Sequence, residues 1–440
     1  MVDLNNINIP SLELRRTKQV HFIGIGGIGV SAIARMMMLE GKIVSGSDQS
    51  ETLVTEELRK LGATIYIGHK ADQVPAEADL VIYTIAVPPS NPEFAKAEEL
   101  GLPMLTYPEA LGMISSDKYT IAVAGTHGKT TTTGMLAKIF LDAGLDPTVV
   151  VGSFLKDFQS NFVAGTGKYF IAEACEYRRS FLNLTPQILV ITNIEADHLD
   201  YYKDLADIQA AFRELAHKVP ADGFIVCDTA DPHLKPVLAG VVAKVVDYPT
   251  QTVEGLALRF PGAHLVADAK AALGVALACN LNEVETVKAL NSFSGTWRRF
   301  DFKGVTATGA RVYDDYAHHP DEVRATLQAA REEVQGGQVV AIFQPHLYSR
   351  TKDFLLPFAE ALVLADRVIL LPIYAARETS DGSIDSADLA KAIRATGHQA
   401  VETVPDFTAA AEAAGVAGQG DLIMVMGAGD VTAVSELLVA

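Results

Sequence analysis

Two glycine-rich turns, each between an apolar run and a helix-like stretch, carry the residue types best suited to chemistry on phosphates. One is Gly125-Thr126-His127-Gly128-Lys129-Thr130-Thr131. Its backbone amides can cradle phosphates, Lys129 can neutralise β- and γ-phosphate charge, and Thr130 or Thr131 can ligate Mg2+. The spacing departs from G-x-x-x-x-G-K-[ST], because Val123 stands where the first glycine would be. The other turn, Gly24-Ile25-Gly26-Gly27-Ile28-Gly29-Val30-Ser31, contains G-x-G-x-x-G as Gly24, Gly26 and Gly29. Such glycines let the backbone approach a pyrophosphate, and the helix that follows supplies oriented N–H groups. Asp48, closing the next strand-like run, is spaced to reach a ribose hydroxyl. Glycines in this setting also serve tight turns alone, so the first loop indicates a nucleoside diphosphate without saying which. Two phosphate loops predict two different nucleotides.

Carboxylates follow apolar runs beside the second loop: Glu173 after YFIA, and Asp197-His198 after ITNIEA. A strand ending in an acid next to a phosphate loop is a common way to hold magnesium, a hard cation that prefers oxygen ligands. Glu173 is the expected ligand, with His198 a second ligand or an orienting group. Further on, DDYAHHP (Asp314 to Pro320) and QPHLYSRTK (Gln344 to Lys352) gather acid, imidazole, aromatic and guanidinium groups at two strand ends. Open α/β sheets bind ligands at that edge. Arg350 offers a fork for a carboxylate or phosphate. Nothing matches the helical H-E-x-x-H metal pattern.

The elements that must position these groups alternate. QVHFIGI, IVS, IYI and LVIYT read as strands separated by helical stretches; YTIAVAG, YFIAEA, ILVITNI and GFIVCD form a second series. VVAIF, RVILLPIY and LIMVMG form a third. In TTTTGMLAKIFLDAG the apolar positions fall on one face, and Gly144 is placed to end the helix. The expected architecture is α/β with three domains, over residues 1–116, over 117–295 with a parallel sheet, and over 296–440.

The 440 residues, 49% hydrophobic and 20% charged, exclude a disordered or collagen-like chain and a single small module. No apolar run approaches the roughly 18 residues of a membrane span, and MVDLNNINIPSLELRR lacks the layout of a signal peptide. A cytoplasmic protein is expected. With 36 basic against 54 acidic residues the net charge is −18, which repels nucleic acids and anionic membranes. Cys175, Cys227 and Cys279 stand far apart, so neither a disulfide framework nor a zinc site is suggested.

The ordered set IGIGGIGVSAIA with SGSD, GTHGKTTTT, EACEYRRSFL, TNIEADHLDYY, RRF, DDYAHHPDEVRATLQAAR, FQPHLYSRTKDF, PIYAARE and GAGD, running from Ile23 to Asp430, resembles the Mur ligase family of peptidoglycan synthesis. Its alanine-adding branch is the nearest. The resemblance implies a Rossmann-like, UDP-sugar-binding first domain, a P-loop-type ATPase second domain and a Rossmann-like, amino-acid-binding third domain, in an ATP-dependent ligase where the carboxylate of UDP-N-acetylmuramate takes the γ-phosphoryl group of MgATP. The amine of L-alanine then displaces phosphate from the acyl phosphate. Carried across by motif, Gly26, Gly27, Ile28, Gly29, Ser31 and Asp48 look like the UDP-sugar loop, with His69 a further candidate. Gly125 to Thr131 look like the ATP loop, with Lys129 catalytic and Thr130, Glu173 and His198 at the metal. Asn193 is implied to position phosphate or metal waters, and Arg299 resembles an arginine reaching toward ATP phosphates. Tyr316, His318, His319, His346 and Arg350 look like the face that receives alanine and steadies the acyl phosphate.

The chain departs from the family pattern in places. G-x-H-N-x-x-N-A reads Gly262-Ala263-His264-Leu265-Val266-Ala267-Asp268-Ala269, which removes both asparagines from the adenine side. Cys175 stands where an aspartate is common, and Arg213 lies near the spacing of the carbamylated lysine of sister ligases. DDYAHHP leans toward the ligase that attaches a whole tripeptide during cell-wall recycling, whereas QPHLYSRT leans toward alanine addition. Of other classes, an NAD-dependent oxidoreductase would use the first loop but leaves Lys129 without a role. A non-catalytic nucleotide-gated binding protein leaves the imidazole and guanidinium clusters without one.

Overall fold

The computed structural model describes residues 14–199, 201–334, 336–376 and 378–439. Residues 1–13, most of the stretch whose layout argues against an export signal, lie outside the described residues. The α/β class expected from the sequence is found, as three largely parallel sheets. Among the described residues, no helix is long and apolar enough to cross a membrane.

The first sheet contains β1 (Gln19–Ile23), β2 (Ile43–Asp48), β3 (Thr64–Ile67), β4 (Leu80–Tyr83) and β5 (Met104–Thr106). Its order is β3-β2-β1-β4-β5, and all pairings are parallel. The order reverses at β1, so the loop after β1 opens at the crevice where doubly wound sheets take ligands. That loop feeds the helix Ile28–Leu39, whose Val30, Ile33, Ala34 and Met37 are buried.

The second sheet contains β6 (Tyr119–Ala124), β7 (Thr148–Leu155), β8 (Ser160–Val163), β9 (Tyr169–Glu173), β10 (Ile188–Ile191), β11 (Phe224–Cys227) and β12 (Lys244–Asp247). The order is β12-β11-β10-β6-β9-β7-β8, with β7 and β8 an antiparallel edge hairpin. Central β6 and β10 are almost wholly buried, as expected of strands covered on both faces. Their neighbouring carboxyl ends, Ala124 and Ile191, lead into the second glycine loop and the TNIEA segment. The helix Lys129–Asp142 buries Met135, Leu136, Ile139 and Phe140, each contributing about 1.5–3 kcal/mol by leaving water.

The third sheet contains β13 (Asp301–Val305), β14 (Arg311–Asp315), β15 (Val339–Phe343), β16 (Arg367–Leu370), β17 (Val401–Thr403) and β18 (Leu422–Met426). It is ordered β13-β14-β18-β15-β16-β17, parallel except for β13 against β14. By packing, the chain divides into two compact units, Met1–Thr252 with Ala271–Ala289 and Val253–Lys270 with Leu290–Ala440. The first unit holds the first two sheets, and the second holds the third.

Candidate active site

The second glycine loop is held rigidly by its own backbone contacts, and its lysine lies against it. Gly125 has φ 140°, and a Cβ there would lie 1.9 Å from the Thr192 hydroxyl, so only glycine lets the loop press against β10's exit. Thr126 N donates to the Asn193 carbonyl (3.0 Å), His127 N donates to Asn193 Oδ1 (2.9 Å), and Glu195 N donates to Thr126 Oγ1 (2.8 Å). Asn193 therefore holds the loop's backbone. Gly128, at φ 81°, caps the helix that opens with Lys129.

Lys129 folds back onto its own loop. Its Nζ donates to the carbonyls of Gly125 (2.5 Å) and Thr126 (2.9 Å) and lies 3.0 Å from the Glu176 carboxylate. Burial alone would lower the lysine's pKa, but Glu176, with Cys175 and Glu173, more than reverses this and holds the ammonium charged. For Glu176 burial pushes upward, yet Lys129 and His198 keep its carboxyl below the ordinary range. His198 Nε2 lies 3.4 Å from Glu176, and the residue adopts φ 54°, a strained backbone for a histidine.

Thr130 and Glu173 meet as expected: the Thr130 hydroxyl lies 3.0 Å from both Glu173 oxygens, and Gly152 N donates to one of them (2.8 Å). An oxygen-only pair at the end of β9 and the start of the loop helix suits a hard divalent ion. His198, expected as a second ligand or an orienting group, lies against Glu176. Glu176 itself was missed. Its signal is the second acid of E-A-C-E after a buried strand, three residues beyond Glu173. Thr131 is buried in the first turn of the same helix.

In the same unit the first loop is pinned to β2 through Gly24 N and Ile25 N, which donate to the Ser47 carbonyl (2.8 and 2.9 Å). Asp48 Oδ2 accepts from Gly26 N (2.8 Å), so at least one of its oxygens braces the loop that sequence reasoning expected it to accompany. Gly27 caps the helix, and no acid stands in the first turn to repel an anion. Ser31 Oγ donates to the Ile28 carbonyl (2.8 Å). Asn161, from β8 of the second sheet, donates its amide to that same carbonyl (2.5 Å) and lies 3.2 Å from Ser31 Oγ. His69 joins a network that sequence did not reveal: its Nδ1 contacts Glu93 (2.7 Å) and Ser47 (3.0 Å), while buried His21 contacts the other Glu93 oxygen (2.8 Å). Burial pushes Glu93 upward, but His21, Ser47 and His69 together keep its carboxyl low.

In the second unit, Arg350 Nη1 lies 3.1 Å from His346 Nδ1, His346 stacks on Tyr374, and His318 meets His346 edge-on with ring centres 5.6 Å apart. Because a guanidinium can only donate, His346 Nδ1 accepts, and its neutral ring carries the proton on Nε2. His318 Nδ1 contacts the Tyr316 carbonyl (2.9 Å), to which it donates, with the Glu322 carboxylate 3.3 Å from the same nitrogen. His319 is buried and instead packs on Phe354 (ring centres 5.0 Å apart) with Nδ1 3.5 Å from Asp321. Arg299 pairs with Glu322 (3.5 Å) beneath the Tyr316 ring. Its neighbour Arg298 is almost wholly buried and donates to Asp314 and the carbonyls of Gly427 and Gly429 (2.9, 2.5 and 2.6 Å), which ties the GAGD turn to β14. Burial lifts the Asp315 carboxyl to about 6, against the pull of Arg299. Burial likewise lowers His264 to about 4, with Arg299 adding to the effect.

The chain matches the Mur ligase family catalytic domain over residues 19–119, the Mur ligase middle domain over 123–259, and the Mur ligase glutamate ligase domain over 298–429. A UDP-N-acetylmuramate–L-alanine ligase of Clostridium perfringens is 40% identical across 96% of this chain and 97% of its own length. One from Salinibacter ruber is 41% identical across 97% and 95%. The crystal structure of a UDP-N-acetylmuramate–alanine ligase from Thermotoga maritima superposes with a TM-score of 0.79 at 30% identity, covering 96% of this chain and 98% of that one. With three successive domain matches and relatives this similar over nearly their whole length, the chain belongs to the Mur ligase family.

Proposed function

We propose that this chain joins L-alanine to the carboxylate of UDP-N-acetylmuramate, using MgATP and passing through an acyl phosphate. The observation that carries the reading is the constellation of Lys129, Thr130, Glu173, Glu176 and His198 around one glycine loop, in the same unit as a second, anion-receptive loop. The names of the relatives supply the substrates, and the site supplies chemistry that suits them.

The Gly125–Thr131 loop would receive the phosphates of ATP, with Lys129 exchanging its two loop carbonyls for phosphate oxygens. Thr130 and Glu173 fit magnesium and would hold it; the ion would screen the charge between nucleophile and γ-phosphate. A carboxylate oxygen of the sugar attacks phosphorus, the bond to the bridging oxygen breaks, and ADP leaves with that electron pair. The alanine amine then adds to the acyl carbon, and phosphate departs carrying the former carboxyl oxygen. In the second unit Arg350 suits the alanine carboxylate, His318 Nε2 suits the proton lost by the amine, and His346 Nε2–H suits a developing oxyanion. The three sheets thus correspond to UDP-sugar, ATP and amino-acid domains.

ADP release that requires UDP-N-acetylmuramate and L-alanine together is expected, with one 18O passing from a labelled sugar carboxylate into inorganic phosphate. Unlabelled phosphate would overturn the acyl-phosphate route. Faster turnover with an L-alanyl tripeptide than with alanine would transfer the chain to the recycling branch.

A further inference from the structure

Tyr107 opens the helix Tyr107–Ser115 directly after β5, and a capping box between Thr106 and Glu109 fixes its start. Its phenol lies on the first glycine loop: a Cβ built on Gly29 would come 2.5 Å from the ring Cζ and 2.7 Å from the hydroxyl. Gly29 is therefore a glycine because the phenol occupies the space a side chain would take. The helix that Tyr107 opens lies against the chain that follows Glu173 and Cys175, since a Cβ on its Gly112 would come 2.4 Å from the Asn183 carbonyl; burial first, then Glu173 and Cys175, raise the phenol's pKa. The hydroxyl stays protonated and remains a donor. Among the described residues it has no hydrogen-bond partner, and the residue is half-buried.

The phenol thus touches the loop suited to the sugar nucleotide and, within electrostatic reach of Glu173, borders the interval between that loop and the carboxylate suited to the metal of the phosphoryl donor. In-line transfer requires the attacking carboxylate to be held in that interval. Building on the ligase reading, we propose that Tyr107 is a substrate-positioning residue whose hydroxyl donates a hydrogen bond to the sugar-linked carboxylate as it faces the γ-phosphate. A ring serving only to fill space beside Gly29 would work equally well as phenylalanine.

The test is Tyr107→Phe, which keeps the ring and deletes the donor. In steady-state assays kcat/KM for UDP-N-acetylmuramate is expected to fall by about tenfold or more, the scale of a lost hydrogen bond to a charged group. The KM for ATP is expected to stay unchanged, and calorimetric titration with UDP-N-acetylglucosamine, which lacks the carboxylate, should give the same affinity in both proteins. Equal kcat/KM in parent and variant overturns the proposal, as does an equal loss of affinity for the two sugar nucleotides. A parent protein without ligase turnover would defeat the ligase reading itself, a separate result from failure of the Tyr107 assignment.

Discussion

Glu176→Gln removes one charge from a buried pair while preserving its shape, and so measures what the carboxylate does for Lys129. The two side chains are 13% and 5% exposed and 3.0 Å apart. At an effective dielectric of about 20 their attraction is about 5–6 kcal/mol before the cost of desolvation. Truncating one partner of such a pair typically costs about 3–5 kcal/mol, because the other charge stays buried. Glutamine keeps one acceptor, and Lys129 retains the Gly125 and Thr126 carbonyls, so the low end, about 3 kcal/mol, is expected. For a unit of this size that lowers the thermal midpoint by roughly 5 °C. Phosphate oxygens would replace the missing charge, so saturating MgATP should raise the variant's midpoint by more than the parent's. The folded-state pKa of Glu176 is depressed. Its stabilisation is therefore present above the ordinary glutamate range and lost as the pH falls through the folded value, which should narrow the gap between the proteins in acid. Scanning calorimetry with and without MgATP reads all three effects. Equal midpoints, or equal nucleotide-induced shifts, would refute the view that Glu176 is the resting counter-charge of the phosphate-binding lysine.

Gly125→Ala should lower stability by about 2–5 kcal/mol, from a forced positive φ and an overlap with Thr192, and abolish ATP binding; denaturant unfolding and nucleotide titration check both. His264, depressed to about 4, binds its proton less readily folded than unfolded, so its share of stability is lost as the pH falls from about 6.5 toward 4, by about 3 kcal/mol in full. His264→Gln should flatten that part of the parent's stability curve, and unfolding midpoints between pH 7 and 4.5 will show whether it does.

What the sequence discloses here is chemistry carried by contiguous residues after a strand. Lys129 with Thr130, and Gly26 through Ser31, could be named because loop and helix adjoin in the chain. Glu173 could be named because it ends an apolar run. The groups that complete the site could not, because tertiary packing recruits them from other segments: Glu176 to Lys129, Glu93 to His69, Tyr107 to Gly29, Asn161 to Ser31. His319 shows the same limit from the other side. Its type and place suggested a shared duty with His346, and its ring packs on Phe354. The short edge strand β17 and the β7–β8 hairpin have mixed exposure and gave little periodic signal.

The amide of Asn161 bears on how this chain can be dissected. It arrives from an edge hairpin 133 residues beyond Ile28, and it grips the helix start that follows the first glycine turn. An excised amino-terminal fragment would keep every glycine of that turn yet lose a clamp on the helix behind it. Sugar-nucleotide affinity measured on such a fragment would underestimate the parent's, and a useful minimal module for ligand screening has to extend through β8.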